Sequence, residues 1–272
     1  MPFWVCWRER TKLSHQPDYS VLDKPEILQV VFYPRQDCTP PQAGARDYLV
    51  DVEPGTQVSC RFYPASVGGP CILYVPGNGE VACEHDSIGP LYNRLGIGLF
   101  VADYRGYGRS DGTPTFTSMA ADSHPIFRFF LETARSSGSS ERLFVMGRSL
   151  GSHSAVELAS QHPEHLSGLI VESGAPNAAR LARRFGIEPE RMDQLAEALS
   201  ARIRAIELPA LIIHGERDSL IPVSAGIELH EEIGSKDKRL VIIPGADHND
   251  IMLVGTEQYF SAVRDFVDSN RG

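Results

Sequence analysis

Six short, nearly continuous apolar runs recur along the chain: "CILYVPG" (71–77), "GLFVADY" (98–104), "RLFVMG" (142–147), "GLIVES" (168–173), "ALIIHG" (210–215) and "RLVIIPG" (239–245). A strand that buries one face alternates polar and apolar residues. A run that is apolar at nearly every position suits a strand covered on both faces. Segments of helical length lie between them, at 83–95, 116–137, 150–162, 222–233 and 255–269. Strand–helix alternation predicts parallel strands joined by right-handed crossovers, with helices above and below the sheet.

Ahead of these runs the pattern differs. Alternating segments at 27–33, 47–52 and 57–63 predict antiparallel strands, the last two joined by a hairpin at Pro54-Gly55. The expected fold is therefore α/β: a mixed, mostly parallel sheet of about eight strands in one domain over 26–272, after an N-terminal extension at 1–25. The interval 174–208 holds no strand. There Met192, Leu195, Leu199, Ile203 and Ile206 recur at helical steps, predicting one apolar helix face and a small helical cap on the strand ends.

Composition narrows the classes. With 42% hydrophobic residues the chain can bury a sizeable core, and its formal charge of −9, with no long Lys/Arg run, excludes a nucleic-acid partner. No stretch approaches the roughly 20 apolar residues of a membrane span, so no integral membrane segment is expected. Phe3, Trp4 and Trp7 are expected to pack on the domain. The five cysteines (Cys6, Cys38, Cys60, Cys71, Cys83) include no C-x-x-C pair, which predicts neither a zinc site nor a disulfide framework and suits a reducing, cytoplasmic setting. "CEHD" at 83–86 reads as a surface helix rather than a metal site.

The stretch "LFVMGRSLGSHS" (143–154) carries the chemistry. A serine on a sharp strand-to-helix turn is strained, and side chains two positions either side would crowd the neighbouring backbone. Gly147 and Gly151 relieve that crowding, which makes Ser149 a nucleophile candidate. The N–H of Leu150 then points into the cleft and can stabilise an oxyanion. A serine nucleophile needs a base, and the base an orienting acid. His248 in "IPGADHND" follows the last predicted strand, and Asp218 in "HGERDSLIP" follows the one before. Glu172, which ends "GLIVES", is a rival acid; Asp247 and Asp250 flank His248 less favourably. "PGNGE" (76–80) follows the first buried strand and offers the N–H of Asn78 as a second oxyanion donor.

In sequence the order is Ser149, Asp218, His248. With "YVPGNGE", "DYRGYGRSDG", "GRSLG", "HGERDSLIPV" and "GADHND", the chain from about residue 47 onward resembles the α/β-hydrolase superfamily, in particular its small-capped serine hydrolases. The family usually has His-Gly where this chain has Pro76-Gly77, and its membrane-anchored thioesterases carry a cysteine-rich N-terminus where this chain has only Cys6. The resemblance implies hydrolysis of a small-molecule ester or thioester through an acyl-enzyme, with no cofactor and no metal. It makes Arg105 and Arg109 scaffold. A serine aminopeptidase-like activity and a non-catalytic binding fold are the alternatives. The arginines at 180, 183, 184, 191, 202 and 204 are mixed with acids and are expected to form a solvated face.

Overall fold

The computed structural model describes residues 17–174 and 189–270. Eight strands form one sheet: β1 (Arg46–Glu53), β2 (Thr56–Tyr63), β3 (Cys71–Val75), β4 (Gly98–Ala102), β5 (Leu143–Arg148), β6 (Gly168–Glu172), β7 (Ala210–Gly215) and β8 (Lys238–Ile243). Their spatial order is β1-β2-β4-β3-β5-β6-β7-β8. β2 is antiparallel to both neighbours and every other pairing is parallel. The hairpin between β1 and β2 falls at Pro54-Gly55 as expected.

The helices are α1 (Pro25–Val31), α2 (Gly89–Arg94), α3 (Phe116–Ser136), α4 (Ser152–Gln161), α5 (Pro189–Arg204), α6 (Val223–Glu232), α7 (Ile251–Val254) and α8 (Thr256–Ser269). Adjacent residues of each central strand enter opposite cores, as the pleat demands. Leu73, Phe100, Val145, Leu169 and Ile212 pack towards α3, α4 and the ends of α5 and α6. Ile72, Leu99, Phe144, Ile170 and Leu211 pack towards α2 and α8. Fully burying such a side chain stabilises the fold by roughly 1.5–3 kcal/mol, which explains why these strands are apolar throughout.

A third apolar cluster sits at the carboxyl ends of the strands. Tyr19, Leu22, Ile27 and Phe32 meet Val75, Tyr104, Phe116 and Met119, together with Met192, Leu195 and Leu199 of α5. The segment expected to be a strand at 27–33 is instead α1. Pro25 stands at its first turn with φ preset for a helix, and Glu26 suits the positive N-terminal end. Ile27 is buried while Val30 and Tyr33 are 54% and 68% exposed. Ile27, Leu28 and Val31 therefore share a helix face, and the apparent alternation in "EILQVVFY" was misleading.

Of the interval 174–208, residues 175–188 lie outside the described residues, and with them Arg180, Arg183 and Arg184. Helix α5 packs on α4, α6 and the turn Tyr19–Val21. Arg202 is buried against Glu157, Arg191 pairs with Asp18 and Arg204 with Glu197. These three arginines are paired, and Arg202 does not belong to a solvated face. Phe3, Trp4, Cys6 and Trp7 also lie outside the described residues. The "CEHD" residues form a 3-10 turn in which Cys83 and His85 are buried. Arg105 pairs with Asp122 and Glu53, and Arg109 with Asp47, as scaffold contacts. No helix among the described residues is long and apolar enough to cross a membrane.

Phe130 packs on Phe100 and Phe127 with no exposure. Phe130→Ala should cost about 3–5 kcal/mol, read as a lowered urea midpoint at unchanged slope.

Candidate active site

Ser149 follows β5 directly and has φ +50°, a left-handed conformation that a side-chain-bearing residue adopts only under constraint. The constraint is visible on both sides. A Cβ on Gly147 would come within 2.4 Å of the Gly151 carbonyl oxygen, and one on Gly151 within 2.1 Å of the Val75 carbonyl oxygen. Real Cβ atoms do not approach so closely. Only glycine at both positions lets the turn press against β3 and lift Ser149 to the rim. The Ser152 hydroxyl donates to the Ser149 carbonyl oxygen at 2.6 Å and holds the turn from below.

The sheet brings three distant residues together at this rim. His248 Nε2 lies 3.0 Å from Ser149 Oγ, and His248 Nδ1 lies 2.8 Å from Asp218 Oδ2. A carboxylate only accepts, so Nδ1 carries the proton and Nε2 is left as an acceptor facing the serine hydroxyl. Asp218 Oδ1 accepts the N–H groups of Leu220 and Ile221 at 3.0 and 2.7 Å. Burial alone would raise the Asp218 carboxyl, but hydrogen bonds from His214, His248 and the Ile221 N–H outweigh it. Together they hold the group well below the usual carboxylate range.

The rival acids are engaged elsewhere. Glu172 is buried and accepts from Arg148 Nε at 3.1 Å and the Tyr259 hydroxyl at 2.7 Å. Burial pushes its carboxyl up, with Arg148 and Tyr259 opposing. Asp247 accepts from the N–H and hydroxyl of Ser219, and Asp250 accepts the Asp247 N–H. None of the three meets the His248 ring.

Asn78 sits in the loop after β3, and this loop is pinned on several sides. Asn78 Oδ1 accepts from the Tyr33 N–H at 2.8 Å and the Tyr107 hydroxyl at 2.7 Å. The Pro76 carbonyl accepts from the Tyr104 hydroxyl, and the Gly79 carbonyl from Arg35 Nη1 at 3.1 Å. The Gly77 N–H is taken by Glu80 Oε2 at 2.8 Å, whereas the Asn78 N–H has no acceptor among the described residues. Leu150 lies in the 3-10 turn Ser149–Gly151, at the start of the helix that continues as α4.

Sequence reasoning missed four residues around this site. Tyr33 and Arg35 come from the N-terminal segment, and no local motif marks them. His214 Nε2 lies 2.8 Å from the Ile221 carbonyl oxygen and 3.4 Å from Asp218 Oδ2. Arg148 was legible in principle, because a charge inside a buried strand run requires a buried partner. No group of acids, histidines and cysteines among the described residues is arranged to hold a metal ion.

Two outcomes follow from this geometry. Gly151→Ala should destabilise the protein by about 3 kcal/mol in urea titration, because neither backbone can retreat. The depressed Asp218 carboxyl contributes stability above its unfolded pKa of about 3.9, and that contribution is lost as pH falls below it. Asp218→Asn should therefore weaken the acid-side fall in stability, measured as urea midpoints between neutral and strongly acidic pH.

Known proteins resemble this chain in sequence and in fold. The human alpha/beta hydrolase domain-containing protein 17B is 28% identical over 225 residues, covering 81% of this chain and 74% of its own. An esterase of Pyrococcus furiosus superposes with a TM-score of 0.69 at 18% identity, covering 87% of this chain and 98% of its own. A soluble variant of monoglyceride lipase from Saccharomyces cerevisiae superposes with a TM-score of 0.66 at 19% identity, covering 87% and 97%. The family model for serine aminopeptidase, S33, matches residues 70–188 and 189–252. With that match over most of its length, the chain belongs to this family of α/β-hydrolase-fold hydrolases.

Proposed function

We propose that the protein is a serine hydrolase that cleaves carboxylic ester or thioester bonds through an acyl-enzyme on Ser149. The observation that carries this reading is the continuous path from Asp218 through His248 to Ser149, at 2.8 and 3.0 Å. His248 Nε2 takes the hydroxyl proton as Ser149 Oγ attacks the carbonyl carbon. Asp218 keeps the ring in the required tautomer and stabilises the imidazolium. The N–H groups of Asn78 and Leu150 receive the charge that develops on the carbonyl oxygen. His248 then hands its proton to the departing alcohol or thiol. In the second half the same ring deprotonates a water, which releases the acid and restores the serine.

The family description raises a second reading, an aminopeptidase. Such an enzyme must grip the substrate's ammonium group with a carboxylate. Among the described residues the carboxylates around the site are already engaged: Glu80 and Glu172 with Arg148, and Asp247 with Ser219. That occupancy favours the ester or thioester. The esterase and monoglyceride lipase with the same fold lend the bond class further support.

A fluorophosphonate should label the wild type on Ser149 alone, read by peptide mass spectrometry. Turnover of p-nitrophenyl acetate should fall by about 10⁶-fold in Ser149→Ala and about 10⁴-fold in Asp218→Asn. A wild type that is neither labelled nor active on p-nitrophenyl esters or acyl thioesters would overturn the reading. Faster cleavage of amino-acid p-nitroanilides than of esters would favour the aminopeptidase.

A further inference from the structure

The residue before the nucleophile has contacts that the Ser–His–Asp path does not require. Arg148 ends β5 and is only 7% exposed. Its guanidinium turns beneath the rim and is used on every edge. Nε donates to Glu172 Oε1 at 3.1 Å, and Nη1 forms a close ion pair with Glu80 Oε1. Nη2 donates to the His248 carbonyl oxygen at 2.7 Å and to Asn249 Oδ1 at 3.1 Å. The carboxylates extend the network, since Glu80 Oε2 accepts the Gly77 N–H and Glu172 Oε2 the Tyr259 hydroxyl.

Two loops that must cooperate thus meet on one cation. Among the described residues no hydrogen bond joins residues 76–80 directly to 246–250, so the guanidinium bridges them. Taking a guanidinium out of water is costly, and a purely structural strand end would be better served by an apolar side chain. The planar guanidinium spreads five donors in a fixed fork and reaches two carboxylates, a carbonyl and an amide oxygen at once, whereas lysine's three donors radiate from a single point. The cation also offsets the Glu80 carboxylate, which stands two residues from Asn78 and would otherwise oppose an oxyanion forming there.

We propose that Arg148 is a positioning residue for the hydrolysis, holding the Asn78 loop and the His248 loop in register with Ser149. It touches no reacting atom and acts through Glu80 and the His248 backbone. The proposal rests on the reading of Ser149 as the nucleophile, and its test separates the two.

Arg148→Met, Arg148→Lys and Glu80→Gln are compared with wild type for kcat and KM on p-nitrophenyl butyrate. The same variants are assayed for affinity to a trifluoromethyl ketone, whose serine adduct carries the oxyanion. Misplacing the donor and the base should lower kcat about 100-fold in Arg148→Met and about 10-fold in Glu80→Gln, with KM nearly unchanged. Affinity for the ketone should fall in parallel, and Arg148→Lys should be intermediate. A merely structural ion pair would lower the melting temperature and leave kcat of the folded fraction intact, and that result overturns the proposal. Should Arg148→Met fail to fold, Glu80→Gln and Arg148→Lys decide by the same criterion. Hydrogen exchange provides a readout independent of turnover. Peptides covering 76–81 and 246–251 should both gain exchange in Arg148→Lys while those from β3 and β5 stay protected; unchanged exchange in both loops sinks the clamp. If the wild type is neither labelled by a fluorophosphonate nor active on esters or acyl thioesters, the assignment of Ser149 falls and the exchange result alone judges Arg148.

Discussion

Between β3, the end of β5 and the turn that follows there is no room for a single carbon beyond the backbone. Gly147 faces the Gly151 carbonyl and Gly151 faces the Val75 carbonyl, each at a separation that excludes a Cβ. This contact forces Ser149 into positive φ, a strain of order 1–3 kcal/mol that the surrounding sheet must absorb. Everything else at the rim is arranged around the resulting position of one oxygen. His248 and Asp218 reach it from loops after β8 and β7, and the Asn78 loop reaches it from β3.

Three buried carboxylates near the carboxyl ends of the strands show how environment sets character. Asp218 is surrounded by donors and stays ionised. Glu172, on the next strand, is fully enclosed and its carboxyl is pushed up by burial. Asp103, just past β4, is pushed up to about 7 by burial, although the Ser59 hydroxyl and the Ala82 N–H donate to it. A carboxylate that accepts two backbone N–H groups and an imidazole is suited to steady a passing positive charge. One committed to a neighbouring guanidinium is not. Glu172 and Asp218 therefore do not compete for His248, although both follow strands in the same sheet.

Much of this was legible in the sequence, for reasons specific to each element. The central strands announce themselves because covering both faces demands apolar residues without interruption. Ser149, Asp218 and His248 could be picked out because a parallel sheet gathers its strand ends on one side, and each follows a strand run. What escaped lacks a local signature. Tyr33 and Arg35 act on the Asn78 loop from more than 40 residues away, and such pairing leaves no periodic trace. Helix α1 escaped because seven residues of mixed polarity fit both periods. Pro25 was the signal that should have decided it. The role of α5 was hidden differently: its apolar face is evident, but periodicity does not say what it packs against.

The N-terminal segment gives the molecule an order of assembly. Tyr33 docks on Asn78 and Tyr107, and Asp23 receives the N–H groups of Phe116 and Thr117, partners that lie 45 to 94 residues further along. During synthesis this stretch leaves the ribosome well before these partners. Its apolar residues Leu22, Ile27 and Phe32 must wait, uncovered, for the middle of the sheet to emerge. His248 arrives later still, 99 residues after Ser149. The rim is thus completed only near the end of synthesis, with α7 and α8 still to follow, and a nascent chain stalled halfway would display an uncovered apolar segment and no His248.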